Sequence, residues 1–171
     1  SKNLINLDIK TISKIKTYLN NGGMIFFDII GFSRENFSLE SNKFKNIKEF
    51  LSSIEADNLA PISKDHTLTK SFYLLKKFPG RWDNKILLIE NNNLELKDGV
   101  SSVILGFNDW ASAWALDSNK KPIYPVVPGG ERQREISYRF GINIAMYALT
   151  GNYKSDQIHF KSILNRLNNV K

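Results

Sequence analysis

The chain has no cysteine among its 171 residues. Disulfides, thiolate metal sites and cysteine nucleophiles are thereby excluded. The compartment stays open, because a cysteine-free chain tolerates oxidising and reducing surroundings alike. Histidine is scarce: His66 and His159 are far apart in sequence and form no metal-binding spacing. No apolar run reaches the roughly 18 residues that span a bilayer. The longest stretch of that kind, 142–149, is short and broken by Asn143. No signal peptide is visible. Ser1 follows no initiator methionine, so the chain is expected to be a piece of something longer, with room for a first βα unit upstream. Arginine is scarce too. Only 6 of the 24 basic residues are arginine.

What is present reads as one α/β domain over 1–171, with 42% hydrophobic and 24% charged residues, ordinary for a water-soluble globule. The net charge is +7. The lysines behind it are scattered, and abundant asparagine and isoleucine point to codon bias, so nucleic-acid binding is not inferred. Asp8 is a good N-cap for a helix carrying Ile9, Ile12, Ile15 and Leu19, stopped by "NNGG". "MIFFDI" follows as a buried strand. Phe44, Ile47, Phe50, Leu51 and Ile54 mark a second helix. Residues 55–71 read as irregular, with "SFYLL" as a short extended piece. "KILLIE" and "SSVILGF" read as two more strands, and "NDWASAWAL" as a helical turn capped by Asn108 or Asp109. A long helix is predicted from about Glu131 to Thr150, stopping at Gly151, with a separate element near "QIHFKSILNRL". The order of elements predicts three layers around a mostly parallel sheet.

The scarcity of arginine makes its placement informative. Arg132, Arg134 and Arg139 crowd the start of the long helix, and Arg81 sits in the turn "FPGRWDN". A guanidinium is preferred to an ammonium where a planar fork must meet a carboxylate or phosphate. Arg132 and Arg134 fall where a helix dipole disfavours cations, so a negative partner is expected. It could be a bound anion at the N–H groups of Gly129 and Gly130, or an acid of the domain such as Asp28, Asp109 or Asp117. In open parallel sheets ligands bind beyond the carboxyl ends of the strands. There the sequence places Asp28, Asn108, Asp109 and Trp110, with Arg81 and Trp82 near. The candidate ligand-binding rim is therefore Asp28, Arg81, Trp82, Asn108, Asp109, Trp110, Gly129, Gly130, Arg132 and Arg134. Its ligand would be a small anion or a carbohydrate. A hydrolase using a metal or a carboxylate-activated water is the alternative, with Asp28, His66, Asp109 and Glu131 as candidate groups. No Gly-x-Ser-x-Gly elbow presents a nucleophile, and no catalytic, metal or cofactor assignment is made. A purely structural docking domain is the third reading.

The segments "GGMIFFD", "DHTLTKSFYLLKKFPGRW", "DGVSSVILGFNDWASAWA", "YPVVPGGERQREISYRFG" and "MYALTGNYKSDQIH" resemble, in that order, a domain-of-unknown-function family. That family stands at the C-terminus of alphaproteobacterial membrane proteins whose N-terminal region is like the aerotolerance regulators. The resemblance implies a flavodoxin-like sandwich, distantly related to class I glutamine amidotransferases. Catalytic members there use a cysteine that this chain lacks, so amidotransferase chemistry is not expected. "DHTLTKSF" is similar to a histidine-containing loop in trehalose-utilisation-type members. The resemblance further implies a soluble domain of a membrane-anchored, cell-envelope protein, on the periplasmic side, with membrane-complex subunits as partners.

Overall fold

A computed structural model describes residues 7–30, 42–83, 86–91 and 101–168, with the backbone alone for 42–43 and 151–168. Helix α1 (Ile9–Asn20) begins where Asp8 Oδ1 accepts from the Thr11 amide at 2.6 Å. It ends where Gly22 takes φ 85°, a left-handed turn in which the Gly22 and Gly23 amides reach back to Leu19 O and Tyr18 O. Strand β1 (Ile25–Asp28) follows, then α2 (Asn42–Ser53), β2 (Leu59–Pro61) and a 3-10 turn at Thr67–Lys70. Strands β3 (Leu87–Glu90) and β4 (Val103–Gly106), the short α3 (Trp110–Trp114) and the long α4 (Gly130–Asn168) complete the order.

The four strands form one sheet in the order β1-β4-β3-β2. β1 and β4 are parallel, Ile25 opposite Val103 and Asp28 opposite Gly106. β3 runs against both of its neighbours. Three of the four strands thus share a direction, as the expected mostly parallel sheet requires, and β3 alone opposes them, which makes its two pairings antiparallel. β3 and β4 are buried at every position, as strands covered on both faces must be. Alternate residues feed two cores. Val103, Leu105, Phe107 and Leu88 join Leu19 of α1 and Phe44, Ile47, Phe50 and Leu51 of α2. Ile104, Leu87 and Ile89 join Leu68, Trp110, Phe140 and Tyr147 on the other side.

Three sequence expectations are corrected. β2 lies inside the segment read as irregular, its three residues ending on Pro61 at a sheet edge. "SFYLL" forms bends rather than a strand. α4 does not stop at Gly151 but continues as one helix to Asn168. A lone glycine costs a helix only about 1 kcal/mol relative to alanine, and without a left-handed cap it is a weak stop. No helix among the described residues is long and apolar enough to cross a membrane. Of the polar loops read at 31–42 and at "NNNLELKDG" (91–99), all but Asn42 and Asn91 lie outside the described residues, and the side chains of His159 and of the apolar face read on Ile158, Ile163, Leu164 and Leu167 lie outside the described side chains.

Candidate functional site

The rim is built where β1 and β4 end side by side. Beyond Gly106 the chain must turn sharply, and Gly106 itself is held bare because a Cβ there would enter the Trp110 indole. Asp109 makes the turn in the left-handed region (φ 54°, ψ 57°), a conformation aspartate tolerates better than most residues. Its Oδ1 caps α3 by accepting from the Ser112 amide at 3.4 Å. From the adjacent strand, Asp28 Oδ2 accepts from the Ala111 amide at 2.9 Å. Two carboxylates therefore meet at one place, delivered by two parallel strands.

The turn 78–82 is stitched onto this corner. Trp82 N donates to Asn108 O at 3.1 Å and Arg81 N to Asp109 O at 3.2 Å. Asn108, fully buried, donates from Nδ2 to Phe78 O at 2.7 Å. Gly80 must be glycine, since a Cβ would collide with the Asn108 carbonyl. Gln133 of α4 fixes the remaining edge. Its Nε2 donates to Gly80 O and Val127 O at 2.8 and 2.9 Å, and its Oε1 accepts from Gly129 N at 2.8 Å.

The arginines separate into distinct roles. Arg134 is 4% exposed. Its Nη1 and Nη2 donate to Ala113 O and Tyr124 O, each at 2.7 Å, and its Nε meets Glu131 at 3.2 Å. Its partners are two carbonyls and an acid three residues back on the same helix, rather than Asp28, Asp109 or Asp117. The C-terminal turn of α3 ends on this cation, which suits its dipole. Arg132 is exposed and has no ion pair among the described residues. Arg139 pairs with Glu135 one turn back and lies over the Tyr73 ring. Arg81 is the open one. Its guanidinium lies over both the Trp82 and Tyr124 rings, 4.9 and 5.1 Å from the ring centroids. Its only acidic neighbour among the described residues is Asp109, at 3.6 Å from Nη1. That is an ion pair without a hydrogen bond, and Nε has no partner.

The electrostatics follow from burial. Desolvation pushes the Asp28 carboxyl above its ordinary value, and the Asp109 charge pushes the same way, against the lowering effect of the Ala111 amide. Asp28 Oδ1 is buried without a partner. Arg81 Nε, Asp83 Oδ1, Trp110 Nε1 and Ser137 Oγ are buried and unsatisfied as well. Such groups carry the full cost of desolvation.

The hydrolase candidates are only partly brought together. Asp28 and Asp109 share the rim. Glu131 pairs with Arg134 at the head of α4. His66 lies at the other end of β4, against Ser101. The Ser101 Oγ to His66 Nε2 distance is 3.4 Å, and Ser101 Oγ donates to Glu90 O at 2.8 Å. This resembles a serine–histidine dyad, but His66 Nδ1 accepts from Leu68 N at 3.2 Å. The neutral ring then carries its proton on Nε2 and offers Ser101 no lone pair. Burial also pushes the His66 pKa down. Among the described residues no three His, Asp or Glu side chains gather to hold a metal.

Sequence reasoning missed Gln133, Tyr124 and Asn143. Gln133 stands between the two arginines that drew attention, and Tyr124 in the proline-rich link. The one usable signal was the aromatic ring in "YPVVPGG", a partner for the Arg81 plane. Asn143 is fully buried and donates from Nδ2 to Leu68 O and Tyr73 O, both at 2.8 Å.

No curated protein matches the chain. The family model for the domain of unknown function DUF4159 matches residues 1–149, most of the chain. The chain belongs to the DUF4159 family.

Proposed function

We propose that the chain is a non-catalytic binding domain whose rim receives a carboxylate- or phosphate-bearing ligand, with Arg81 as the receiving group. One observation carries this reading. Arg81 is partly exposed, packs its guanidinium on two aromatic rings, Trp82 and Tyr124, and makes no side-chain hydrogen bond among the described residues. A guanidinium fixed in orientation with unused donors has already lost the entropy that binding would otherwise cost. Trp82 and Tyr124 would wall the ligand, and an acidic sugar fits the same chemistry. The flavodoxin-like ancestry, the membrane-anchored parent protein and the periplasmic setting belong to this proposal and rest on the sequence resemblance.

The test is a thermal-shift and calorimetric screen of dicarboxylates, phosphate, neutral sugars and sugar acids on wild type and Arg81→Ala. Ligand at about a hundred times Kd stabilises by roughly 2.7 kcal/mol. That response should vanish in Arg81→Ala, measured against that variant's own unliganded melting point, which falls because buried Asp109 loses its ion-pair partner. A response that survives the substitution, or anions that give none, refutes the reading.

A second reading rests on Asp28. A carboxyl raised by burial beside a second carboxylate is the arrangement of a general acid. Turnover of chromogenic ester, phosphate or glycoside substrates, abolished by Asp28→Asn, would establish it.

A further inference from the structure

Residues 116–130 are exposed at every position except Val126. Ordering an exposed stretch costs conformational entropy, and loops that gain nothing by order are usually polar. This one holds Leu116, Ile123, Tyr124 and Val127 in solvent at 44%, 52%, 41% and 44% exposure. It is nevertheless firmly built. Leu116 bridges Pro122, Asp117 N donates to Lys121 O at 2.8 Å, and Ile123 N donates to Ala115 O at 3.1 Å. Pro122, Pro125 and Pro128 stiffen the return. Two buried side chains of α4 grip it from below: Arg134 at Tyr124 O and Gln133 at Val127 O. Val127 N donates to Arg81 O at 2.9 Å, which sets the arm beside Trp82, itself 37% exposed.

Its charges are one-sided in availability. Asp117 Oδ1 accepts from the amides of Asn119 and Lys121, and Glu131 is paired with Arg134. Lys120, Lys121 and Arg132 are exposed and have no ion pair among the described residues. Apolar anchors on a rigid backbone, aromatic rings, an arginine and unengaged cations form the composition of a recognition surface rather than of a passive loop.

We propose that the arm 116–128 is a docking surface for an acidic protein segment whose aliphatic or aromatic residues seat against Leu116, Ile123, Tyr124 and Val127 while its carboxylates meet Lys120, Lys121 and Arg132. This goes beyond the rim reading: it shares Tyr124 with the rim, but rests on the arm's apolar and cationic side chains together with Arg132 of α4 and not on the donors of Arg81. A membrane surface would call for a helix with a broad apolar face. Three cations are too few for the basic stripe of a nucleic-acid binder. A second copy of the same arm would oppose cation to cation.

The experiment pans a random dodecapeptide phage library on the whole chain. The selected peptides are then measured by fluorescence anisotropy on wild type, Ile123→Ser/Val127→Ser, Lys120→Glu/Lys121→Glu and Arg81→Ala. Phosphatidylglycerol vesicles and a single-stranded oligonucleotide run alongside. Selected peptides should combine Asp or Glu with aromatic or aliphatic residues, and each arm variant should weaken them by on the order of tenfold. The two arm variants should melt near wild type, because their altered side chains are exposed. Peptides without acidic–apolar character, peptides indifferent to both arm variants, or arm variants that alter vesicle or oligonucleotide binding instead would each overturn the proposal. If Arg81→Ala leaves the small-anion response intact while the arm variants abolish peptide binding, the rim reading fails and this one stands.

Discussion

Replacing Arg134 by methionine removes every donor of the guanidinium while keeping most of the apolar stem. Two of its hydrogen bonds run from a buried cation to main-chain carbonyls, at Ala113 and Tyr124, both at 2.7 Å. Hydrogen bonds involving a charged partner contribute roughly 1.5–3 kcal/mol each. The contact with Glu131 adds little, because that acid is 76% exposed and its pairing is screened. Methionine spares the protein an uncompensated charge but leaves both carbonyls short of a donor. The expected loss is about 3–5 kcal/mol, which for a domain of this size lowers Tm by roughly 6–20 °C. Arg134→Lys should recover part of it, since a single ammonium cannot serve two carbonyls set on different segments. Arg132→Ala, which removes an exposed side chain without an ion pair among the described residues, should stay within about 0.5 kcal/mol of wild type. Urea denaturation followed by circular dichroism reads all three, with the m-value as a check that unfolding remains comparable. Equal losses at 132 and 134, or an Arg134→Met protein as stable as wild type, would show that the buried cation does not fasten α3 and the arm to α4.

Asn143→Ala should cost about 2–4 kcal/mol in the same assay, because it strands Leu68 O, Tyr73 O and the Tyr73 amide in a buried place; Asn143→Asp, which keeps an acceptor but loses the donor, should not rescue it. Stability should also depend on pH through two groups with opposite signs. His66 has its folded pKa below the ordinary 6.5, so below about that pH the unfolded chain binds the extra proton and stability falls. His66→Gln should flatten that slope. Asp28 has its folded pKa above the ordinary 3.8, so its contribution is present in acid and is lost as pH rises through the folded value. Asp28→Asn should therefore be at least as stable as wild type at neutral pH, and an acid-side slope unchanged in both variants would refute the assignments.

Elements governed by neighbours in sequence were legible. The Asp8 cap, the glycine stop after α1, the apolar runs of β1 and β4 and the Asp109 cap of α3 each depend on residues a few positions apart. The direction of β3 was not legible, because an apolar run carries no sign of which way its strand points. β2 was hidden by its brevity and by Pro61, which an edge strand tolerates. The site divided along the same line. That Arg81 and Trp82 sit together is a sequence fact, and the carboxylates at the strand ends followed from where the strands stop. The different fates of Arg132 and Arg134 did not. Both lie in the first turns of one helix, and two positions along a helix rotate a side chain by roughly 200°, enough to put one in solvent and the other against α3.

The same periodicity explains why α4 governs the rim without belonging to it. Its buried positions among the described side chains are Gln133, Arg134, Ser137, Phe140, Asn143 and Tyr147, and all of them except Phe140 and Tyr147 are polar in kind. A helix face that only packed on a sheet would be apolar there. The segments it covers, 66–83 and 113–129, have little secondary structure of their own, so their main-chain groups need partners from elsewhere. Gln133 satisfies Gly80 and Val127, Arg134 satisfies Ala113 and Tyr124, Ser137 O accepts from Trp114 Nε1, Asn143 satisfies Leu68 and Tyr73, and the Tyr147 hydroxyl accepts from Ser101 N. Irregular backbone is thus given the hydrogen-bond partners that a strand would find in its neighbours, without having to adopt a strand's shape. Were a ligand to meet Arg81 or the 116–128 arm as proposed, it would encounter backbone already supplied with partners, and less of its affinity would be spent on ordering loops.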